Sequence, residues 1–395
     1  MNFGTRFAHV VCITLAFVPP ILLGQNRDWA NLYRSGHVQL IEEIRITDAQ
    51  LPKGLLFENP RELAVDDAGN VYVSDYGACH VKVFGRDGGF LRVLGRRGQG
   101  PGDLGSPESI EIARGRIFVR EVENLRLSVL ELDGKYVTSA PFAPDSNFGR
   151  FLGLQSLPDG RLVVLQERGL PPGFGGQLPK EQDQAVLVYS EDLKTIKPIF
   201  ENNFRSSCWG RNPDNNAMHR IIFPYHPRVL FAVSPKGMIA IGYNSDYAIG
   251  LYDPDRGLVR TLKHRDERIP LENGDKAEYF DQFKMAVYVD NIRKLLPRPL
   301  DYIVKLTEFP EFLPPYRGLE FDSSGNLLVN VYTKNRATDV YDVFSTDGVF
   351  INRISIEGPP VAWFHRFSGD GIWQIERDAD EVPSLVRYRL ALRAE

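Results

Sequence analysis

Four arginines, Arg61, Arg150, Arg228 and Arg317, stand a few residues ahead of a recurring turn glycine, and Glu108 and Trp363 hold the matching places in two further copies of the pattern. At the fourth copy Val229 is as good an alignment as Arg228. A guanidinium presents a planar fork of donors that fits a carboxylate or another anion at two points. If the strands that follow converge on one mouth, these side chains predict a ring suited to an anionic or carboxylate-bearing ligand. Charges also occur at ordinary strand starts, where they pair with neighbours such as Glu62 and Glu320, so both uses stay open at this level.

Other arrangements point to less. Gly100-Pro101-Gly102-Asp103-Leu104-Gly105 has the spacing of a dinucleotide-binding loop, but Ser106-Pro107 leads into an apolar strand. Without a helix N-terminus behind it, such a loop has nothing to hold a pyrophosphate, and a linker is expected. The pair Cys79-His80 could form a metal site with Cys208 and His219 only if folding happened to bring them together. His219 and His226 lack the spacing of a helical zinc pair, and no Gly-x-Ser-x-Gly elbow appears. An enzyme is therefore the minority reading.

The elements that must position these residues repeat. Asp66-Asp67-Ala68-Gly69-Asn70 recurs as the turns ending at Gly115, Gly160, Gly237, Gly325 and Gly371, each between short apolar runs such as Leu63-Ala64-Val65 and Val71-Tyr72-Val73. A second turn, as in Arg86-Asp87-Gly88-Gly89, repeats out of phase with the first. The first two and the last two turn glycines are spaced by about 46 residues, the length of one four-stranded antiparallel unit. Such a unit cannot bury both faces alone, so six occurrences predict an all-β, six-bladed β-propeller. The last copy lacks a fourth strand, and Val38–Ile46 is strand-like, so an N-terminal strand is expected to close the ring and remove its free edge.

Two intervals are too long for one unit. The first insertion, about residues 200–227, is rich in Asn, Arg and aromatic residues. The second, about 265–315 and between the fourth and fifth blades, contains a predicted helix from Asp275 to Leu296 with Phe280, Phe283, Val287, Ile292 and Leu295 at helical spacing. Pro297 and Pro299 stop it. Loops on a rigid scaffold commonly carry binding residues, though a helix that only caps the ring would read the same way.

Composition narrows the partners. A hydrophobic content of 43% with 25% charged residues predicts a globular chain, and a formal net charge of −4 without like-charge blocks argues against nucleic acid. Residues 1–24 read as a signal peptide, cleaved or retained as an anchor, with Arg6 before the apolar run Val10–Val18, which leaves residues 25–395 as the propeller and predicts a periplasmic or secreted location. No later stretch is long and apolar enough to span a bilayer. Cys79 and Cys208 would remain in the mature chain, as a disulfide or as two thiols.

The opening unit carries a more specific signal. Pro60–Val65, Asp66–Asn70, Val71-Tyr72-Val73-Ser74-Asp75 and Val81–Phe84, followed by Gly95-Arg96-Arg97-Gly98-Gln99-Gly100-Pro101-Gly102-Asp103-Leu104, resemble bacterial exported six-bladed propellers related to NHL repeats. The linker follows that family's Gly-x-x-Gly-x-Gly-Pro-Gly-Glu-Phe pattern, with Asp103-Leu104 in place of Glu-Phe. Most members of that family have no assigned activity, so the resemblance implies the fold and leaves function open. Related propellers include calcium- or zinc-dependent lactonases and lyases, and on that likeness Glu62, Glu108, Glu320 and His365 are the alternative metal ligands. The leading expectation is a monomeric, non-enzymatic protein without a cofactor that binds a protein, peptide or glycan. Its ligand residues would be Arg61, Glu108, Arg150, Arg228, Arg317 and Trp363. The alternative is a metal-dependent hydrolase or lyase.

Overall fold

The computed structural model describes residues 29–141, 148–168, 182–211, 218–265, 267–289, 300–334, 338–359, 361 and 365–393. A short helix, α1 (Trp29–Arg34), leads into β1 (His37–Ile46). The first meander is β2 (Pro60–Val65), β3 (Val71–Asp75), β4 (His80–Phe84) and β5 (Phe90–Leu94). The second is β6 (Pro107–Ala113), β7 (Arg116–Glu121), β8 (Arg126–Glu131) and β9 (Tyr136–Pro141). The third is β10 (Phe148–Ser156), β11 (Leu162–Arg168), β12 (Gln182–Tyr189) and β13 (Ile196–Phe204), followed by a hairpin of β14 (Ser207–Arg211) and β15 (Met218–Ile222). The fourth is β16 (Val229–Val233), β17 (Ile239–Tyr243), β18 (Ala248–Asp253) and β19 (Gly257–Lys263). Helices α2 (Asn273–Val289) and α3 (Leu300–Leu306) come next. The chain ends with β20 (Tyr316–Phe321), β21 (Leu327–Val331), β22 (Asp339–Phe344) and β23 (Phe350–Glu357), then β24 (His365–Ser368), β25 (Gly371–Arg377) and β26 (Pro383–Leu392).

The first four meanders are separate four-stranded sheets, whereas the last seven strands join β1 in one eight-stranded sheet of order β20-β21-β22-β23-β1-β26-β25-β24. The expectation of six blades is corrected to this extent: four are separate sheets, and the remaining strands share one sheet with β1. The physical reason is that β1 has two partners. It pairs antiparallel with β26 from Val38↔Leu392 to Ile46↔Leu385, and its start pairs parallel with β23 from His37↔Ser355 to Gln39↔Glu357. One strand thus satisfies two edges that would otherwise present unpaired backbone groups.

The strands stack face to face around the ring. Val71, Tyr72, Val73, Ser74 and Asp75 of β3 are all buried, while Leu91, Arg92 and Val93 of β5 are exposed. A strand covered on both faces reads as a continuous apolar run instead of alternating. Each hydrophobic cluster is shared by consecutive meanders. Ala64, Tyr72 and Val83 pack with Ile110, Ile117 and Val119, and the last meander returns to the first through Trp373, Ile375 and Leu385 against Leu63, Val73 and Phe84. The arrangement of sheets is all-β and propeller-like.

Turn chemistry follows the sequence closely. In the first turn Gly69 has φ +85°, a conformation open to glycine and strained for other residues, while Asp66 accepts from the Asn70 main chain at 2.8 Å. Asp322 repeats the device with Asn326 and also accepts from the Tyr33 hydroxyl at 3.1 Å. Gly100–Gly105 is a linker leading into β6, its carbonyls held by Arg126 through Gln99 O at 2.9 Å and Asp103 O at 2.8 Å.

The long intervals differ from expectation in detail. Residues 200–204 complete β13, so the first insertion begins only after the third sheet ends. Helix α2 starts at Asn273 and runs to Val289, and positions 290–299, including Ile292, Leu295 and both prolines, lie outside the described residues. Residues 1–28, the expected signal peptide among them, lie outside as well.

A central cavity as candidate functional site

The first strands of successive meanders leave between them a cavity of about 920 Å³, within the size range of a small-ligand site. Its wall includes Glu62 of β2, Gln155 of β10, Phe231 of β16, Glu320 of β20 and Arg366 of β24. Tyr225, from the segment after the β14–β15 hairpin, and Glu278, from α2, stand on its lining. Tyr225 lies 6.4 Å from Tyr332 and 6.5 Å from Tyr279 between ring centroids, which gives this region an aromatic character.

Several of the expected site residues meet here. Arg228 and Arg317 both line the cavity. Arg228 donates to the Arg317 carbonyl at 3.4 Å, and burial pulls its basicity below that of an ordinary arginine. Arg317 pairs with Asp339, donates to Asn330 at 2.9 Å and stacks over Tyr332 at 5.6 Å. Glu320 and His365 hydrogen-bond to each other on the same wall.

Other expected residues are elsewhere. Glu108 pairs with Arg120 and is not part of the lining. Arg61 lies over the Tyr76 ring at 5.3 Å, also away from the lining, with its Nε buried and without a hydrogen-bond partner among the described residues. Arg150 belongs to β10, but its side chain, like the whole of Trp363, lies outside the described residues. The four alternative metal ligands do not converge, because Glu108 is tied to Arg120 and Glu62 to Arg366. Among the described residues no group of three or more His, Cys, Asp or Glu side chains is close enough to hold a metal ion. Cys79 and Cys208 are both free thiols. Cys79 is buried and accepts from the Ser106 main chain at 3.4 Å, and neighbouring His80 is pulled down to about 4 by burial and by the Lys82 charge, against the attraction of Asp75.

Arg366 was not among the expected residues, yet it organises the inner wall. Its Nε donates to Leu63 O at 3.2 Å, and its Nη2 reaches Glu111 and, at 3.4 Å, Glu62. Glu111 is further held by Ser156, through the main-chain N at 3.3 Å and Oγ at 3.0 Å. Four first strands, β24, β2, β6 and β10, are thereby tied from inside the ring. Burial raises the carboxyls of both Glu62 and Glu111, Arg366 opposes it, and Glu62 is pushed up to about 7. A signal for this cluster exists in the chain. Glu111 is a charge between Ile110 and Ile112, and Arg366 a charge beside Phe367, both inside first strands where apolar residues would suffice.

Two buried anchors lie outside the cavity. Asp75 takes main-chain bonds from Glu58 at 3.0 Å and Asn59 at 2.8 Å and pairs with Lys82 at 2.6 Å, both side chains fully buried. In the second meander Glu121 accepts from Gly105 N at 2.8 Å and from Arg126 Nε at 2.8 Å.

Comparison with known proteins agrees with the fold. Residues 57–84, from the segment before β2 to the end of β4, match the NHL repeat. NHL repeat-containing protein 3 of Mus musculus is 32% identical over 128 residues, covering 28% of this chain and 36% of that protein, and its Homo sapiens counterpart is 30% identical. The chain spans little more than a third of the length of these relatives. A Bacteroides fragilis protein regarded as exported aligns over 90% of this chain and 96% of its own at 10% identity, with a TM-score of 0.50. Virginiamycin B lyase from Staphylococcus aureus aligns over 90% and 100% at 12% identity, with a TM-score of 0.43. At these identities the likeness concerns the fold alone. Among the described residues no helix is long and apolar enough to cross a membrane.

Proposed function

We propose that this protein is an exported, non-enzymatic binding propeller, periplasmic or secreted, that takes a peptide or glycan, or the corresponding end of a protein partner, into its central cavity. In this reading the eight-stranded sheet counts as two blades joined at their outer edges by β1, which makes six, with α2 and α3 inserted between the fourth and fifth. The carrying observation is that both inserted segments bring a side chain, Tyr225 and Glu278, to one cavity whose wall is otherwise made chiefly by first strands, with Asn330, Asp339 and Tyr341 of β21 and β22. Loops that converge on a pocket of a rigid ring are the usual carriers of binding. The mixed lining supports a ligand with both polar and flat apolar parts, since arginines and carboxylates alternate with Phe231, Tyr332 and Phe367.

A second reading, a calcium- or zinc-dependent hydrolase or lyase of the lactonase kind, draws on the meeting of Glu320 with His365 at the cavity wall. The remaining alternative ligands are engaged by arginines, which favours binding without a metal.

The test uses the cavity's own geometry. Gly318 lines the wall, and a Cβ added there would meet Asn330 Cβ at 3.4 Å, so Gly318→Phe fills the cavity at little cost to the strand. Wild-type protein mixed with soluble cell-wall peptide and glycan fragments is expected to retain a ligand in native mass spectrometry, and Gly318→Phe to lose it. Equal retention by both proteins would sink the cavity reading. Stoichiometric calcium or zinc in protein purified without chelator, lost in Glu320→Gln, would replace it with the hydrolase.

A further inference from the structure

Arg366, on the cavity wall, has hydrogen-bonding capacity that its neighbours do not fill. Arg366 lines the cavity with a quarter of its side chain exposed, at 25%. Its Nε and one Nη2 hydrogen are committed to Leu63 O and Glu111. The contact with Glu62 is long, at 3.4 Å, and Nη1 makes no hydrogen bond among the described residues. The two carboxylates beside it are not equivalent. Glu111 is 8% exposed, takes two bonds from Ser156 and is not part of the lining, whereas Glu62 is 23% exposed, lines the cavity and is held by the Ser109 hydroxyl and by longer contacts of 3.3 Å from Ile110 N and 3.4 Å from Arg366. Bonds of that length are at the weak end of the range.

We propose that Arg366 is the anchor for a carboxylate carried by the ligand, and that Glu62 is the internal carboxylate which the ligand displaces. The proposal rests on the cavity being the binding site and names the ligand chemistry. The entering carboxylate takes Nη1 together with the Nη2 hydrogen that Glu62 holds loosely, the side-by-side arrangement for which a guanidinium is shaped. Glu111 stays in place and keeps the guanidinium oriented. Phe231, Phe321 and Phe367 line the same cavity and offer apolar surface to the body of the ligand.

Displacement has a proton consequence. The groups acting on Glu62 are Arg366 from β24 and Glu111, Ser109 and the Ile110 main chain from β6, and the Glu320–His365 pair, Arg317–Asp339 and Arg228 also line the cavity. Burial already holds the Glu62 carboxyl at about 7 against the attraction of Arg366. When a ligand carboxylate occupies the guanidinium, that attraction is shared and Glu62 takes up a proton. Affinity is then level in weakly acidic solution and falls as pH rises above neutrality, by about tenfold at most per pH unit.

The experiment measures binding of para-fluorobenzoate to the full chain by ligand-observed fluorine NMR, with para-fluorobenzamide and para-fluorophenyl phosphate as comparison probes. The benzoate is expected to bind at least about tenfold more tightly than the amide, and to weaken several-fold between pH about 6 and about 8.5. Glu62→Gln, which keeps the side chain's shape and removes the competing charge, is expected to tighten benzoate by about tenfold at pH about 8.5, to leave it nearly unchanged at pH about 6, and to abolish the pH dependence. A pH dependence that survives in that variant would overturn the role given to Glu62. Equal affinity for benzoate and amide, tighter binding of the phosphate, or a Glu62→Gln variant no tighter than wild type at pH about 8.5 would each overturn the anchor. If benzoate and amide bind alike and Gly318→Phe abolishes both, the anchor falls while the cavity remains the binding site. If the probes bind and Gly318→Phe leaves them unaffected, the cavity reading falls as well.

Discussion

The segments entering the first strands are gripped differently in different parts of the ring. In the first two meanders the grip is a buried carboxylate with a cation beside it: Asp75 with Lys82, and Glu121 with Arg126. In the fourth it is Asn244, whose Oδ1 accepts from Arg228 N at 2.6 Å and whose Nδ2 donates to Tyr316 O at 2.6 Å. Gln184 does similar work, accepting from Val229 N at 3.0 Å. An amide carries donor and acceptor together and can be buried alone, while a carboxylate makes stronger bonds but brings a charge that must be matched. The charged grips hold the short, regular linkers, and the amides stand where the inserted segments enter and where Arg228 must reach the cavity.

The comparison predicts unequal costs. Lys82→Met leaves Asp75 buried without its counter-charge and is expected to destabilise the protein by about 3–5 kcal/mol, read from the urea midpoint at constant slope. The double variant Lys82→Met/Asp75→Asn is expected to recover part of that loss, and no recovery would show that the pair acts through packing alone. Asn244→Ala, which strands one main-chain donor and one acceptor but no charge, is expected to cost about 1–3 kcal/mol. A cost equal to that of Lys82→Met would erase the distinction between the two grips.

The smallest effect is in the acid limb of stability. Burial would raise the Asp75 carboxyl, but Lys82 and the main-chain donors outweigh it and hold the group below its ordinary value. Its contribution is therefore complete above the unfolded carboxylate value, roughly 3.9, and is lost as pH falls through the lower folded value. Unfolding measured across this range should be steeper in wild type than in Asp75→Asn.

Much of the ring was legible because its units are local. A turn such as Asp66–Asn70 is made by an Asp, a glycine and an Asn within five positions, and the physics that selects them acts over the same distance. Glu320 and His365 were candidates through the likeness to metal-dependent propellers, and not through any spacing of their own. Arg366 was missed because its role comes from Glu62 and Glu111, more than two hundred positions away.

The chain by itself determined the repeat, the turns, the strand-like N-terminus and the intervals where extra segments enter, since each depends on neighbouring residues and on a period of burial. Only the tertiary structure decided that β1 joins two edges at once, that Glu108 and Arg61 stand away from the cavity, and that one arginine at the ring's closure meets two carboxylates. Those outcomes depend on which strands become neighbours around the ring, and side chains brought together by closure leave no spacing in the sequence to reveal them.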